Sequence, residues 1–349
     1  MKFGHLFVPM SLDPEHDLEA IDNCLYEAEL AEDLGLDAIW ISEHHFGGGT
    51  AYADPMVFAG ALAARTNRVK IGFGILELGL HHPVRVAVQT ALLDNLCRGR
   101  LIVGTGSGSR FNAFEYIGFG TTAETARACI GEAEDLLVRT WTGNAKDFIG
   151  QYWQVSVPDI RPRPFQKPHP PIARAVVSED SVMAMARIGR PILINSSSIE
   201  NIGRLLKTYR DTMSAAGFDD LSVELAMDQT WVWRDTYVAE TDTQAMDEFL
   251  PVFERAKSHM AGISDKWNPK DPTIPKRPAP LPRDAYGASP SLTAAEAMVG
   301  SPKRVSEHVA MLQDVGVRNL MLTHMGLVSR EQTTSYLNLL SKKVIPLFS

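Results

Sequence analysis

The sequence predicts an α/β protein built as a closed (β/α)8, or TIM, barrel. Three observations carry that reading. Short apolar runs recur along the chain, and some, such as AIWI at 38–41, are apolar at every position, as in a strand buried on both faces. Each run is followed by a segment whose apolar residues return with the 3.6-residue period of a helix lying on a sheet. Eight such pairs can be counted, and right-handed crossovers between them favour a closed barrel over an open sheet. At 349 residues the chain exceeds the usual domain size, yet such barrels reach that length as one unit, so 1–349 is expected to be a single domain.

The elements follow in order. Strand one is 3–8, and its helix at 18–34 lines up Ile21, Leu25, Ala28 and Ala31 on one face. Gly35 ends that helix, and strand two follows at 38–41. Asp54 caps the next helix, which opens on Pro55 and runs to Arg65. Strand three is 69–74, a helix at 84–96 starts behind Pro83, and strand four is 101–106. A loop rich in glycine and aromatics, 107–120, leads to a helix at 123–141. Residues 148–171 alternate apolar and polar positions and then fill with proline, which reads as a hairpin excursion before strand five. The rhythm resumes with strand five at 172–177, a helix at 181–188, strand six at 192–194 and a helix at 199–215. Strand seven is expected from Val223 to about Trp233. Residues 235–300 break the pattern with a polar helix at 241–259 and a proline-rich run, expected to be a lid or arm inserted after strand seven. Ser301-Pro302 caps a helix at 305–315, strand eight is 319–323, and the last helix is 329–344.

Composition narrows the function. A net charge of −8, from 34 basic against 42 acidic residues, and the lack of a basic run argue against a nucleic-acid partner. The start, MKFGHLFVPM, goes straight into strand pattern, so no secretory leader is expected, and no apolar stretch has the length of a membrane span. Cys24, Cys97 and Cys129 are far apart and odd in number, which suits free thiols in a reducing, cytoplasmic setting.

Chemistry concentrates at DAIWISEHHF, 37–46. A carboxylate and two imidazoles, Glu43, His44 and His45, stand with Phe46 at the carboxyl end of a buried strand, ahead of three glycines. α/β enzymes place their reactive groups at such strand ends. The sequence has no phosphate-loop lysine motif, no HExxH helix and no GxSxG elbow. GTGSGS at 104–109 lacks the spaced third glycine of a dinucleotide turn. A metal site is not expected, because adjacent side chains on an extended strand point to opposite faces, which separates His44 from His45. Aromatics at Phe46, Phe111, Phe114, Trp231 and Trp233 are available to wall an apolar pocket, with His45, Phe46 and Trp231 the preferred lining.

Three blocks resemble the bacterial luciferase-like family of flavin-dependent monooxygenases: DAIWISEHHF at 37–46, RVKIGFGILELGLHHPVRVAVQTALLDNLCRGR at 68–100 leading into LIVGTGSG, and VGSPKRVSEHVAMLQDVGVRNLMLTHMG at 299–326. The resemblance implies a barrel that holds reduced FMN at the carboxyl ends of its strands and uses O2, through a (hydro)peroxyflavin, to oxidise a small organic substrate. A separate NAD(P)H:flavin reductase then supplies the reduced flavin. The implied roles put His44 in acid–base work, with Glu43 beside it to orient it or to stay buried, and His45 supporting the site from behind. They put a non-proline cis peptide between Gly74 and Ile75 under the flavin ring. They put the phosphate against Ser178, Glu179 and Ser181, where a helix opens, and bring Gly106 and Ser107 close to the cofactor. Ser107 stands where the luciferases carry a phosphate-pairing arginine, which leaves Arg110 or Arg174 as its replacement and suits an exchangeable flavin. Gly106 stands where they carry a reactive cysteine, so light emission is not implied. The resemblance also implies a homodimer through the alanine-rich helices 59–64 and 86–91. Two alternatives stay open: an oxidoreductase of the same superfamily using F420, or a flavin-binding protein without catalysis.

Overall fold

An apolar strand buried on both faces satisfies its backbone only by pairing on both edges, and a closed ring does this for every strand. The computed structural model describes residues 1–277 and 297–348. Its ring consists of β1 (Lys2–Phe7), β2 (Ala38–Ile41), β3 (Lys70–Phe73), β5 (Leu101–Gly106), β8 (Ile172–Val176), β9 (Ile192–Ile194), β10 (Trp231–Val238) and β12 (Asn319–Thr323), in that order. All pairings in it are parallel, and β12 closes the ring by pairing with β1 on one side and β10 on the other. Four short strands stand outside the ring. β4 (Leu76–Glu77) prolongs the path of β3 and pairs with β5, β6 (Phe148–Ile149) and β7 (Gln154–Val155) form the expected hairpin, and β11 (Ala297–Gly300) adds to the free end of β10.

Helices cover the ring: α1 (Asp17–Asp33), α2 (Pro55–Arg65), α3 (Pro83–Leu96), α4 (Ala113–Gly118), α5 (Ala123–Thr142), α6 (Glu179–Ala186), α7 (Ile199–Ala215), α8 (Asp220–Met227), α9 (Asp242–Trp267), α10 (Pro302–Asp314) and α11 (Arg330–Leu339). The expected caps form: the Asp54 carboxylate accepts from the N–H groups of Met56 and Val57, and Ser301 accepts from Arg304. No helix among the described residues is long and apolar enough to cross a membrane. Cys24, Cys97 and Cys129 are buried and free.

The barrel interior is small because one side chain fills much of it. Trp40 of β2 points inward and is fully buried with Leu6, Ala38, Ala173, Leu193, Trp231 and Met321. A glycine on each flanking strand makes room for it: Gly72, its partner on β3, and Gly4 on β1, two residues before its partner Leu6. A Cβ on Gly4 would lie 2.7 Å from Trp40 Nε1, and one on Gly72 would run into the six-membered ring. The indole therefore occupies volume that β1 and β3 give up.

Two expectations change. The segment 220–227 is helix α8, not the start of strand seven. Its buried Val223, Ala226 and Met227 follow helical spacing, and Asp219 caps it by accepting from Ser222 N–H. The strand begins at Trp231 and continues to Val238, carrying Arg234 and Asp235 into the protein, so the break expected at 235 falls after 238. The helix after it is also longer than expected. α9 buries Phe249, Phe253, Ala256, Met260 and Ile263 on one face, so it belongs to the core rather than to solvent. Most of the proline-rich run, residues 278–296, lies outside the described residues.

Candidate active site

Past Ile41 the chain keeps its two-residue alternation, which sends Glu43 and His45 to one side and His44 to the other. Glu43 is 3% exposed. Its carboxylate accepts from His45 Nε2 at 2.7 Å, from His81 Nε2 at 2.6 Å and from the Glu77 N–H at 2.5 Å. Burial by itself pushes this carboxyl up, but the two imidazole hydrogen bonds and their charge outweigh it and bring it down to about 2. Glu43 therefore orients His45 and His81, and its hydrogen bonds do not reach His44. His45, expected along the substrate pocket, is buried in this network and lies behind the mouth.

The carboxylate beside His44 is Glu115, which sequence reading left inside a loop. α4 turns that loop inward. Glu115 Oε1 lies 3.2 Å from His44 Nδ1 and also accepts the His45 N–H at 3.0 Å. Asn112 Nδ2 approaches the same Nδ1 at 3.4 Å. Asn112 Oδ1 in turn accepts from Ser264 Oγ at 3.2 Å and Arg277 Nη2 at 2.8 Å. Asn268, just past α9, clasps the same loop, accepting from Phe114 N–H and donating to the Phe111 carbonyl. The end of the inserted segment is thus tied to the loop that holds His44. Gly48 lets the loop after Phe46 turn: its φ is +78°, and any Cβ there would strike the Ser11 carbonyl.

Several other expected residues converge on the rim. The Gly74–Ile75 peptide is cis. A Cβ on Gly74 would meet Leu6, Trp40 and Met321, and one on Gly106 would run into the Ile75 side chain. The carbonyl of Ser107 accepts from the Tyr116 hydroxyl at 2.6 Å. Ser178 caps α6 in a reciprocal arrangement with Ser181. The N–H groups of Glu179 and Asp180 have no acceptor among the described residues, which leaves two donors at the helix start.

Other residues are turned elsewhere. The Glu179 side chain pairs with Arg204 on α7, so only its backbone faces the helix start. Arg174 points to the helix side of β8, where its Nε donates to Glu134 at 2.6 Å beside Arg190 at 3.0 Å. It is therefore lost as a phosphate partner, whereas Arg110 is exposed with its guanidinium over the Phe111 ring. Trp231 sits deep in the barrel, edge-on to Trp40 with centroids 5.1 Å apart, and does not line a mouth. Two residues on, Trp233 faces the same interior nearer the carboxyl end and is only partly buried. Phe46 is half exposed and packs outward, against Phe119 and His45.

Glu27 repeats the Glu43 arrangement between β1 and β12. Its carboxylate meets His5 Nε2 at 2.8 Å and His324 Nε2 at 3.4 Å, and although burial pushes it up, the two histidines bring it down to about 2. Glu27 and Glu43 both bind a proton more weakly folded than unfolded. Their stabilisation is present above the ordinary carboxyl value of 4.5 and is lost as pH falls from there towards 2. On the order of 3 kcal/mol each is at stake. Urea midpoints measured across that window are expected to fall steeply for the wild type and less steeply for Glu27→Gln. An equal slope in both would rule out the assignment.

Comparison with known proteins places the chain among relatives of stated activity. Over 146 residues the chain is 36% identical to limonene 1,2-monooxygenase of Rhodococcus erythropolis, covering 40% of this chain and 37% of that one. It is 26% identical over 249 residues to the oxygenase component of the flavin-dependent trigonelline monooxygenase of Acinetobacter baylyi, covering 70% and 67%. It is also 33% identical over 143 residues to an F420-dependent glucose-6-phosphate dehydrogenase of Amycolatopsis mediterranei, covering 39% and 42%. The chain thus spans less than half the length of the first and third of these relatives. The crystal structure of monooxygenase RslO1 from Streptomyces bottropensis superposes over 100% of both chains, with a TM-score of 0.84 and 26% identity. Residues 1–319 match the family described as luciferase-like monooxygenase, and the chain belongs to that family.

Proposed function

We propose that the protein is the oxygenase component of a two-component system: it takes reduced FMN from a separate NAD(P)H:flavin reductase and uses O2 to oxidise a small organic substrate. The observation that carries this is the placement of His44. Its Nδ1 is held by Glu115, and its Nε2 makes no hydrogen bond among the described residues, so that nitrogen is available to move a proton at the carboxyl end of the barrel. The rim has features that fit a flavin. Gly106 leaves room for the Ile75 side chain beside the Gly74–Ile75 peptide, where the ring would lie, and the helix start at Ser178 and Ser181 offers hydroxyls and backbone donors to a phosphate. Reduced FMN, when bound, supplies the electrons that activate O2. The protein's part is to bind, to exclude water through the loop clasped by Asn268, and to hold and deliver a proton at His44. The trigonelline relative, named as an oxygenase component, supports the division of labour with a reductase.

Fluorescence titration tests the cofactor. FMN is expected to bind about tenfold more tightly than riboflavin, because only FMN offers a charged group to the α6 donors and Arg110. Arg110→Ala should narrow that gap without changing riboflavin affinity. Equal affinities in the wild type would remove the phosphate site. F420 is the competing occupant, favoured by the resemblance to an F420-dependent dehydrogenase. Tighter binding of F420 than of FMN, with hydride transfer and no oxygen uptake, would replace the oxygenase reading.

The exposed side of α2 and α3 supports a homodimer, although only part of the expected stretches 59–64 and 86–91 faces outward. Ala59, Ala63, Val86, Ala87 and Ala91 are buried against the barrel. The outer stripe is Val57, Val88, Leu92 and Leu96, between 39% and 73% exposed. Sedimentation should give twice the chain mass, and Leu92→Glu should return it to the monomer value.

A further inference from the structure

Glu77 and Glu115 are 2% and 1% exposed, and with His44 they bring three side-chain donor atoms within 4.8 Å of one another. Glu115 Oε1 takes the His45 N–H and faces His44 Nδ1, while Glu77 Oε1 lies 4.0 Å from that nitrogen. The other oxygen of each, Glu77 Oε2 and Glu115 Oε2, is buried with no hydrogen-bond partner among the described residues. A buried carboxylate oxygen without a donor is costly, and two adjacent ionised carboxylates in a dry site repel strongly. The surrounding charges offer little relief. Glu43 adds another anion, already matched by His45 and His81. The Arg277 guanidinium donates to Asn112 and Ser264. The Tyr116 hydroxyl donates to the Ser107 carbonyl. One proton held by the pair would remove the repulsion between them.

We propose that Glu77 carries a proton at neutral pH and donates it to Glu115, leaving Glu115 as the single anion that positions His44 through Nδ1. The inference rests on the reading of His44 as the proton-transfer residue. Two groups compete for Nδ1: a carboxylate needs it protonated, and the Asn112 amide needs its lone pair. Anionic Glu115, at the shorter distance, fixes the proton on Nδ1 and leaves the lone pair on Nε2. A proton taken up at Nε2 then makes an imidazolium whose Nδ1–H still donates to Glu115. Its release restores the neutral ring, so no proton crosses the buried pair. Burial first, then Glu115 and Glu43, hold the Glu77 carboxyl well above its ordinary range, in the direction this arrangement requires.

Protein without flavin is sufficient for the test, so the outcome does not depend on whether FMN binds. Infrared spectra at neutral pH are expected to show the carbonyl stretch of a protonated buried carboxylic acid in the wild type, lost in Glu77→Gln. The tautomer of the His44 imidazole, followed by 15N NMR, is expected to carry its proton on Nδ1 in the wild type and in Glu77→Gln, and to lose that preference in Glu115→Gln, which removes the anion. Glu77→Gln should also raise the urea midpoint at pH 7 and leave it unchanged near pH 4. A carboxyl whose folded value is raised contributes stability below its ordinary 4.5 and loses it as pH rises towards the folded value. Absence of the protonated carbonyl band, or an unchanged His44 tautomer in Glu115→Gln, would overturn the proposal. So would stoichiometric binding of Mn2+ or Zn2+ that Glu115→Gln abolishes, because the three groups would then hold a cation in place of the proton.

Discussion

His44→Ala is expected to lower product formation by a factor of about 10² to 10⁴, the usual contribution of a positioned acid–base group, while FMN affinity changes little. The separation follows from the geometry. His44 is held from behind by Glu115 and Asn112, and the features that fit the flavin, the Gly74–Ile75 floor and the start of α6, lie on other strands. Removing the imidazole leaves those features in place. Electrons delivered by the reductase should then appear as hydrogen peroxide instead of oxygenated product. The informative control is His45→Ala. That imidazole donates into buried Glu43, so its loss should lower stability more than turnover of the molecules that remain folded. Product yield per flavin oxidised, measured for both variants alongside urea midpoints, decides the matter. An unchanged yield in His44→Ala would take the residue out of the chemistry.

The ring of strands was legible because burial on both faces leaves near-continuous apolar runs, and AIWI at 38–41 has no other ready explanation in a charged, water-facing chain. Helix starts were legible where a cap and a proline coincide, as at Asp54-Pro55 and Ser301-Pro302. At strand seven the sequence misleads, because a strand expected from Val223 to about Trp233 spans both the helix α8 and the start of β10. The helical spacing of Val223, Ala226 and Met227 and the Asp219 cap were present but outweighed, and Arg234-Asp235 looked like an exit to solvent although both are buried. In the site, His44 could be found from its position at a strand end. Its carboxylate could not, because Glu115 reaches it from 71 residues away through a six-residue helix that no periodicity announces. Proximity in sequence favoured Glu43, and the two-residue alternation of extended chain is the reason it points the other way. Glu77 had a faint signal, a lone carboxylate in the apolar run after strand three. Arg277 had none, lying in a proline-rich segment with no periodicity of its own.

Trp40→Ala is expected to destabilise the fold by about 3 to 5 kcal/mol and to weaken flavin binding as well, although the indole lies beneath the rim, fully buried. The stability loss follows from the cavity left inside a ring whose flanking strands have only glycine at Gly4 and Gly72. The binding loss follows from support: a Cβ on Gly74 would meet Trp40 Cε3 and Leu6 Cδ1 at 3.5 Å, so the backbone that floors the rim lies close above the indole and loses part of its base. A double-mutant cycle isolates the complementarity. Gly72→Ala alone should cost about 1 to 3 kcal/mol, because its methyl meets the indole, and much less in a Trp40→Phe background where the ring is smaller. Urea unfolding of the four chains measures the coupling, and FMN titration of Trp40→Ala measures the floor. If the two substitutions add, the glycines are not there to house the indole. If binding survives in Trp40→Ala while stability falls, the rim is held by its own loops and the barrel interior serves only to keep the ring closed.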